Sequence, residues 1–204
     1  MKIEAPTKII PAFNNLKTNA FDIVVMEGGR GGAKSEALAA LGILESFIDD
    51  GVILCCREIQ RSISDSLYAS LISAIYKYQY ESYFKILNNE ITNLLTGARF
   101  IFVGLKSNIT SIKSINKLRV VLVDEAENVT DNSWSYLRPT PRYGHVRFYV
   151  VFNPRFEQDA TWQQFIVNKD NRTLHINISY KDNPWFPEAL ERQRQRDLRG
   201  DAGR

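Results

Sequence analysis

The chain has 204 residues, which is enough for one large α/β domain with its own hydrophobic core. Hydrophobic residues make up 44% of it and charged residues 24%, a balance that excludes a disordered chain. No apolar run approaches the roughly 20 residues of a membrane span, and the N-terminal segment lacks the apolar core of a secretory signal. We therefore expect a cytosolic protein with no membrane partner.

The cysteines and histidines form no metal-binding pattern. Cys55 and Cys56 are adjacent within an apolar run, as expected for reduced thiols in a protein core. His145 and His175 are far apart in sequence and have no cysteine nearby, which argues against a structural zinc site.

Strand-like and helix-like segments alternate along the chain. The first strand, 21–26, leads through a glycine-rich turn into an apolar-striped helix that Gly51 ends. Asn-Asn and Thr-Gly pairs later separate two or three short strands. The further predicted strands lie at 52–56, 82–87, 90–95, 98–104, 119–123, 147–152 and 173–180, and the further predicted helices at 64–78, 131–137 and 187–200.

Strands separated by helices predict a mostly parallel sheet with helices on both faces. In such sheets, ligands bind beyond the carboxyl ends of the strands. We therefore place the candidate site where the strands 21–26, 119–123 and 147–152 end.

The first strand is followed by GGRGGAKS, residues 28–35, which fits the phosphate-binding pattern G-x-x-x-x-G-K-[ST] at all positions but one. Ala33 stands where the last glycine is expected. Alanine can be accommodated there only if the backbone does not need a positive φ. A glycine-rich turn without a ligand is the alternative interpretation.

Such a loop directs backbone N–H groups and a helix N-terminus at one point, which favours a phosphate group. Lys34 adds a charge that reaches the β- and γ-phosphates, and Ser35 offers an oxygen to Mg²⁺. Arg30 either contacts the γ-phosphate during hydrolysis or lies in solvent. The predicted nucleotide-binding residues are Gly28, Gly29, Arg30, Gly31, Gly32, Ala33, Lys34 and Ser35.

The apolar strand VVLV leads directly into two acids, Asp124 and Glu125. Acids at the end of a buried strand are costly unless a cation or a bound water needs them. We assign Asp124 to Mg²⁺ and Glu125 as the base that takes a proton from the attacking water. An acidic cap on the following helix is the alternative, and Glu127 is interpreted as an ordinary first-turn helix charge.

The strand 147–152 ends in Asn153 and Pro154, and the proline forces Asn153 into an extended conformation. Asn153 is a candidate catalytic residue that positions a water or senses the γ-phosphate, with a plain Asn-Pro turn as the alternative. In a ring of subunits, a neighbour could supply a further arginine to the site. The candidates for that arginine are Arg119, Arg138 and Arg142.

The window between Glu90 and Asp124 contains no acidic residue. Its cations predict a surface that binds DNA phosphates in a salt-dependent manner, and an ordinary solvated face is the alternative. These cations are Arg99, Lys106, Lys113, Lys117 and Arg119.

Several segments, in this order, resemble the large terminase subunits of tailed double-stranded DNA bacteriophages. They are GGRGGAKS, ILCCREIQRSISDS, KSINKLRVVLVDEAE, VVFNPR and SYKDNPWFP, and the resemblance extends from about Phe21 to Pro187. It implies an ATPase that pumps viral DNA through a portal into a preformed capsid. The loop, the acids and the parallel sheet together predict a three-layer P-loop NTPase fold of the RecA/ASCE type, with ATP and Mg²⁺ as cofactors.

The resemblance also carries site residues and partners. It matches Lys34 and Ser35 to the phosphates and the metal, and Asp124 and Glu125 to the metal-associated and catalytic acids. Asn153 matches a motif thought to couple hydrolysis to movement, and Arg30 a position near the γ-phosphate. The segment with Arg57, Glu58 and Gln60 is typical of the family, but no chemical role follows. The implied partners are double-stranded DNA, the portal protein, the small terminase subunit and further copies in a ring, in the host cytoplasm with transient docking at the procapsid portal.

Family members usually continue into a nuclease domain. We expect residues 1–186 to form the ATPase domain and 187–204 to begin a linker toward a C-terminal nuclease domain that is absent, so we expect no DNA cleavage. Three alternatives stay open: another P-loop nucleic-acid-dependent ATPase, a P-loop phosphotransferase acting on a small molecule, and a non-catalytic nucleic-acid-binding module. The stretch 10–20 is positioned to contact adenine.

Overall fold

The computed structural model describes residues 3–59, 67–88, 90–112, 114–139 and 145–201. Predictions for Gln60, Lys113 and Arg142 therefore fall outside the described residues. The strands are β1 Ile23–Glu27, β2 Val52–Arg57, β3 Phe84–Leu87, β4 Glu90–Asn93, β5 Arg99–Gly104, β6 Leu118–Val123, β7 Arg147–Phe152 and β8 Thr173–Asn177. The helices are α1 Ile10–Thr18, α2 Lys34–Ser46, α3 Ala69–Lys77, α4 Leu105–Ile112, α5 Asp131–Leu137, α6 Ala160–Trp162 and α7 Glu188–Asp201.

The strands form one sheet in the order β3-β4-β5-β2-β6-β7-β1-β8. From β5 to β8 every neighbouring pair is parallel, whereas β3 and β4 form an antiparallel hairpin that pairs with β5. The predicted mostly parallel α/β sheet is therefore confirmed. Because β7 lies between β1 and β6, the three strands predicted to carry the site end side by side.

Helices cover both faces because the side chains of the buried strands alternate between two cores. Val24 and Met26 of β1 pack on the side of α1, α2 and α3, whereas Ile23 and Val25 pack on the side of α4 and α5. Strands β1, β2 and β7 are buried along their whole length, as expected of strands covered on both sides. This arrangement confirms the three layers of the P-loop NTPase fold.

The helix after the loop ends earlier than predicted. Helix α2 stops at Ser46, since the amide of Phe47 already bonds to the carbonyl of Leu44 at 3.1 Å in a tighter turn. Gly51 lies beyond this turn, and a Cβ there would come within 2.8 Å of the Arg119 Cβ. Close packing against the neighbouring strand, not helix termination, therefore explains this glycine.

The apolar spacing does not predict α1, α4 or α6. Helix α1 is held against the residues before β1, because the Asn15 side chain bonds to both the N–H and the carbonyl of Phe21, six residues further along the chain, at 2.9 and 2.8 Å. The other two helices are short, and such segments carry too few periodic positions to reveal a face. Among the described residues, no helix is both long and apolar enough to cross a membrane.

A buried network of charges joins α2 to the sheet at the end opposite the candidate site. The Glu45 carboxylate is fully buried and bonds to the Arg147 guanidinium, to the Tyr149 hydroxyl at 2.7 Å and to Arg119 at 3.2 Å. Arg119 also pairs with Asp49. A buried carboxylate with this many partners is costly to leave unpaired, so the network fixes the position of α2.

Two cations of the predicted DNA-binding window, Lys117 and Arg119, are engaged in ion pairs. Lys117 bonds to Asp50 at 2.6 Å, and Arg119 is engaged in the network above. Arg99 and Lys117 lie at the amino ends of β5 and β6, whereas Lys106 follows the carboxyl end of β5, about 17 Å away along the strand. Of the described cations, Arg99, Lys117 and Arg119 therefore lie at one end of the sheet and Lys106 lies at the other, and DNA binding by this window stays a prediction.

Replacing Glu45 tests the buried network. We expect Glu45→Ala to lower the free energy of unfolding by about 3–5 kcal/mol, because it leaves the Arg147 charge buried without its partner. Urea denaturation followed by circular dichroism measures this. Asp50→Ala removes only the exposed pair with Lys117 and should leave the unfolding curve unchanged. Equal effects of the two substitutions would contradict a stabilising role of the network.

Candidate nucleotide-binding site

The carboxyl ends of β1, β6 and β7 and the start of α2 surround a cavity of about 480 Å³. Neighbouring strands lie about 5 Å apart, so the ends of β1 and β6, with β7 between them, are roughly 10 Å apart. Gly28 and Gly29 contribute carbonyl oxygens at the start of the loop. The other predicted site residues line the cavity: Arg30, Gly31, Gly32, Ala33, Lys34, Ser35, Asp124, Glu125 and Asn153.

Two glycines of the loop are required by their backbone and by their neighbours. Gly28 has a φ of 140°, and a Cβ there would lie 1.9 Å from the Ile178 carbonyl oxygen. Gly31 has a φ of 81°, and its Cβ would lie 2.2 Å from the Phe186 ring. The Asn183 amide also donates to the Gly31 carbonyl at 2.8 Å, so residues that follow β8 hold the loop in shape.

Ala33 adopts the left-handed conformation, with φ 61° and ψ 25°. The loop therefore needs a positive φ at this position. The sequence-based expectation that alanine fits only where φ is not positive is wrong here. A left-handed L-residue costs roughly 1–2 kcal/mol. The Ala33 carbonyl nevertheless accepts the first helical bond of α2, from Ala37 N–H at 3.0 Å, so the conformation is fixed by the helix it starts.

Lys34 is turned back onto the loop. Its Nζ donates to the carbonyls of Gly28 at 2.8 Å and Gly29 at 2.6 Å, and the residue is only 8% exposed. Burial lowers the pKa of Lys34, and attraction to Glu127 opposes that shift. An ammonium group has three N–H donors, so the two bonds leave one for a phosphate oxygen in the cavity.

Ser35 and Asp124 bring two oxygen atoms together across the cavity. The Ser35 hydroxyl donates to Asp124 Oδ1 at 3.4 Å, and Asp124 is buried at the end of β6. Hydroxyl and carboxylate oxygens are the ligands that Mg²⁺ prefers, and Mg²⁺ is commonly held by one or two carboxylates together with substrate phosphates. This pair of side chains fits the predicted magnesium site.

Arg57 belongs to a segment for which the sequence predicts no chemical role, and it bonds to both acids. At the end of β2 its guanidinium bonds to Asp124 Oδ2 at 2.5 and 3.2 Å and to Glu125 Oε2 at 3.2 Å. Its side chain is 6% exposed. The sequence signal for Arg57 is its place as the last residue of a buried apolar strand. The structure pairs this strand, β2, with β6, after which the two acids follow. Arg57 neutralises both acids and fixes the Asp124 carboxylate with its other oxygen toward Ser35.

Glu127 differs from its sequence-based interpretation. It lies in the first turn of a short 3₁₀ segment, as predicted, but its side chain is 4% exposed and lines the cavity. Burial raises the pKa of its carboxyl group. Its Oε2 accepts from the backbone N–H of Asn153 at 3.3 Å. Glu127 is therefore a buried acid of the candidate site.

The arginines occupy different places. Arg30 is exposed at the rim of the cavity. Arg119 belongs to the buried network at the opposite end of the sheet. Arg138 stacks over the Phe165 ring at 5.6 Å. The structure thus brings only Arg30 of this group to the cavity, within the described part of the chain.

The far wall of the cavity comes from both ends of the described chain. The segment that reaches it from the N-terminus is 4–6, not 10–20 as predicted for the adenine contact. Tyr78, at the end of α3, also lines the cavity. Pro187 and Leu190 contribute as well, so residues beyond the predicted domain boundary take part in the wall. The boundary itself stays a prediction.

The sequence model described as phage terminase large subunit matches residues 20–203. The chain belongs to this family. No functionally curated protein sequence matches it.

Solved structures of terminases share the fold at low sequence identity. The large terminase of a thermophilic bacteriophage superposes with a TM-score of 0.81 at 12% identity over 95% of this chain and 50% of that one. The HK97 large terminase gives a TM-score of 0.71 at 11% identity over 98% and 48%. The N-terminal domain of the DNA packaging ATPase of phi29 gives 0.62 at 13% identity over 84% and 96%. The chain thus spans about half the length of the first two proteins. The thermophilic-phage terminase also has structures with ADP and with ATP-γ-S.

Replacing Ala33 tests the strain in the loop. We expect Ala33→Gly to raise the free energy of unfolding by about 0.5–1 kcal/mol, because relief of the left-handed backbone outweighs the added freedom of the unfolded chain. Ala39→Gly, within α2, is the matched control and should lower it by about 1 kcal/mol or more. Urea denaturation of both variants gives the signs, and a loss of stability in both would refute the strain.

Proposed function

We propose that the chain is the ATP-hydrolysing motor domain of a DNA-packaging terminase, which drives double-stranded DNA through a portal into a procapsid. The observation that carries the proposal is that Lys34, Ser35, Asp124 and Glu125 line one cavity at the ends of β1 and β6, which flank β7. Family membership and the nucleotide complexes of the thermophilic-phage terminase support ATP as the ligand.

The phosphate groups bind at the turn from β1 into α2. The backbone N–H groups of the loop and the N-terminus of α2 favour the negative charge there. The remaining N–H of Lys34 donates to a phosphate oxygen, and the exposed Arg30 reaches the γ-phosphate from the rim. The loop thus provides binding and charge neutralisation, and the close approach of Ile178 to Gly28 and of Phe186 to Gly31 leaves no room there for a side chain.

Ser35 and Asp124 would hold Mg²⁺, which would supply positive charge against the phosphate groups during hydrolysis. Asp124 is ready for this role because Arg57 holds one carboxylate oxygen and leaves the other beside the Ser35 hydroxyl. The two oxygens are therefore placed before nucleotide binds, which lowers the ordering cost of metal binding.

Glu125 acts as the general base. It follows Asp124 directly but has a φ of 48°, so its side chain leaves the strand direction and is 46% exposed toward the cavity. A water between this carboxylate and the γ-phosphate loses its proton to Glu125 as it attacks phosphorus, and the bond from the γ-phosphorus to the β–γ bridging oxygen breaks to release ADP. Asn153, at the end of β7 between the loop and the acids, orients the same water.

The remaining parts of the proposal follow from the family. Double-stranded DNA is the translocated substrate, and the portal protein, the small terminase subunit and further copies in a ring are the partners. The site of action is the host cytoplasm, with docking at the procapsid portal. Hydrolysis that DNA stimulates, without transfer of phosphate to a small acceptor, separates this function from a P-loop phosphotransferase.

Replacing Lys34 tests the phosphate site. We expect Lys34→Ala to abolish nucleotide binding, because it removes the cation that the loop carbonyls hold at the cavity. Titration with a fluorescent ATP analogue measures the affinity. Lys85→Ala, on the exposed edge strand β3, is the control and should bind as the parent does. Unchanged affinity of Lys34→Ala would refute the phosphate site.

Replacing Glu125 tests the base. We expect Glu125→Gln to bind nucleotide like the parent but to lose a factor of about 10²–10⁴ in kcat, since an amide cannot accept the proton of the attacking water. Phosphate release measures turnover, with and without DNA. Glu81→Gln, on an exposed turn, keeps turnover unchanged. A fully active Glu125→Gln variant would exclude this residue as the base and favour a non-catalytic binding module.

A further inference from the structure

Glu127 is a buried acid of the cavity that the proposed mechanism does not use. Its side chain is 4% exposed, and burial raises the pKa of its carboxyl group. A buried carboxylate needs partners to offset the loss of water. One oxygen accepts from the Asn153 backbone N–H at 3.3 Å, and the other lies 3.7 Å from the Arg155 guanidinium. Both partners belong to the segment that follows β7.

Asn153 has an unfilled acceptor. Its side-chain oxygen Oδ1 is buried and has no hydrogen-bond partner among the described residues, and Asn153 is one of the residues that line the cavity. A buried polar atom without a partner costs about 1–3 kcal/mol, so such an atom beside a cavity indicates a donor that belongs there. In the proposed reaction the donor is the attacking water, whose second proton this oxygen accepts as a hydrogen bond.

Buried hydrogen bonds hold the turn that carries Glu127. The Thr161 hydroxyl donates to the Ala126 carbonyl at 2.5 Å, and the Trp134 ring N–H donates to the Thr161 oxygen at 2.8 Å. Both Trp134 and Thr161 are fully buried. Glu125 starts the same turn, and the Asn128 N–H bonds to its carbonyl at 3.0 Å. The hydrogen bond that the Asn153 backbone N–H donates to Glu127 therefore fixes Asn153 relative to the proposed base.

We propose that Glu127 is a positioning residue for hydrolysis: its carboxylate holds the Asn153 backbone so that Asn153 Oδ1 and the Glu125 carboxylate meet the same water. The inference rests on the proposed function of the site and adds a residue to it. Glu127 does not act as the base, because its side chain is 4% exposed and its two oxygens face Asn153 and Arg155, whereas Glu125 bonds to Arg57 through Oε2 and its side chain is 46% exposed.

The test compares three substitutions in the full 204-residue chain. Glu127→Gln keeps an oxygen that accepts from the Asn153 N–H, whereas Glu127→Ala removes the acceptor. Asn128→Ala is the control on the same turn, since it removes a partner of Arg155 at 3.0 Å without touching Asn153. We expect kcat to fall about 100-fold in Glu127→Ala, the scale of a misplaced catalytic group, and to change about threefold or less in the other two.

Binding separates positioning from a general loss of structure. The affinity for ATP-γ-S should stay within about threefold of the parent in all three variants, because Glu127 is not assigned a contact to the phosphates. A Glu127→Gln variant as slow as Glu127→Ala would overturn the inference, because charge and not the hydrogen bond would then matter. A Glu127→Ala variant as fast as the parent would overturn it as well.

A double-mutant cycle with Asn153→Ala tests whether Glu127 affects kcat through Asn153. Without the Asn153 side chain, the position of its backbone no longer matters, so adding Glu127→Ala to Asn153→Ala should slow kcat little further. Additive losses would contradict the inference. A parent protein that binds but never hydrolyses ATP would instead refute the proposed function, so the two failures are distinguishable.

Hydrogen exchange gives a readout that does not depend on turnover. The Asn153 amide should exchange faster in Glu127→Ala than in the parent and at the parent rate in Glu127→Gln and Asn128→Ala, measured by mass spectrometry of peptides from the β7 end. Thermal unfolding of each variant checks that the fold is kept. Unchanged exchange in a folded Glu127→Ala variant would overturn the inference.

Discussion

The site depends on the parallel pairing of β1, β7 and β6, which brings opposite charges to one edge of the sheet. The register pairs Glu27 with Phe152 and Val123 with Val150, so Asp124 follows β6 at the level of Val151, whereas Gly28 and Asn153 emerge about two residues further along. The cation of the loop and the acids after β6 then face each other across the width of one strand. A slip of the register would move these side chains apart and bury charges without partners, which the low dielectric of the interior penalises.

Burial strengthens the action of the Lys34 and Asp124 charges on a bound ligand. Lys34 and Asp124 are both nearly inaccessible to solvent and are held by fixed partners, the loop carbonyls for Lys34 and Arg57 for Asp124. Fixed charges in a site with little water act more strongly on a ligand and need little reorganisation when it binds. Ala33 and Glu125 both have a strained backbone with a positive φ. Each conformation directs the adjoining residues toward the site in a way that a regular helix or strand would not.

The sequence predicts the parts of the site that local patterns determine. The loop 28–35 and the pair Asp124–Glu125 could be assigned because a strand, a turn and a helix follow one another directly, and the mostly parallel sheet follows from the same alternation. The buried role of Glu127 and the position of Arg57 between two acids could not be read in this way, because they depend on which strands are neighbours. The conformation of Ala33 was also beyond the sequence, since only the closed loop shows that a positive φ is required.

A crystal structure of the chain with ATP-γ-S and Mg²⁺ tests the central claim most directly. The account predicts the thiophosphate within hydrogen-bonding distance of Lys34 Nζ and one Mg²⁺ bound by the Ser35 hydroxyl and associated with Asp124, with Glu125 facing the γ-phosphate. A nucleotide bound elsewhere, or bound in the cavity with Lys34 and Asp124 both away from its phosphates, would contradict it.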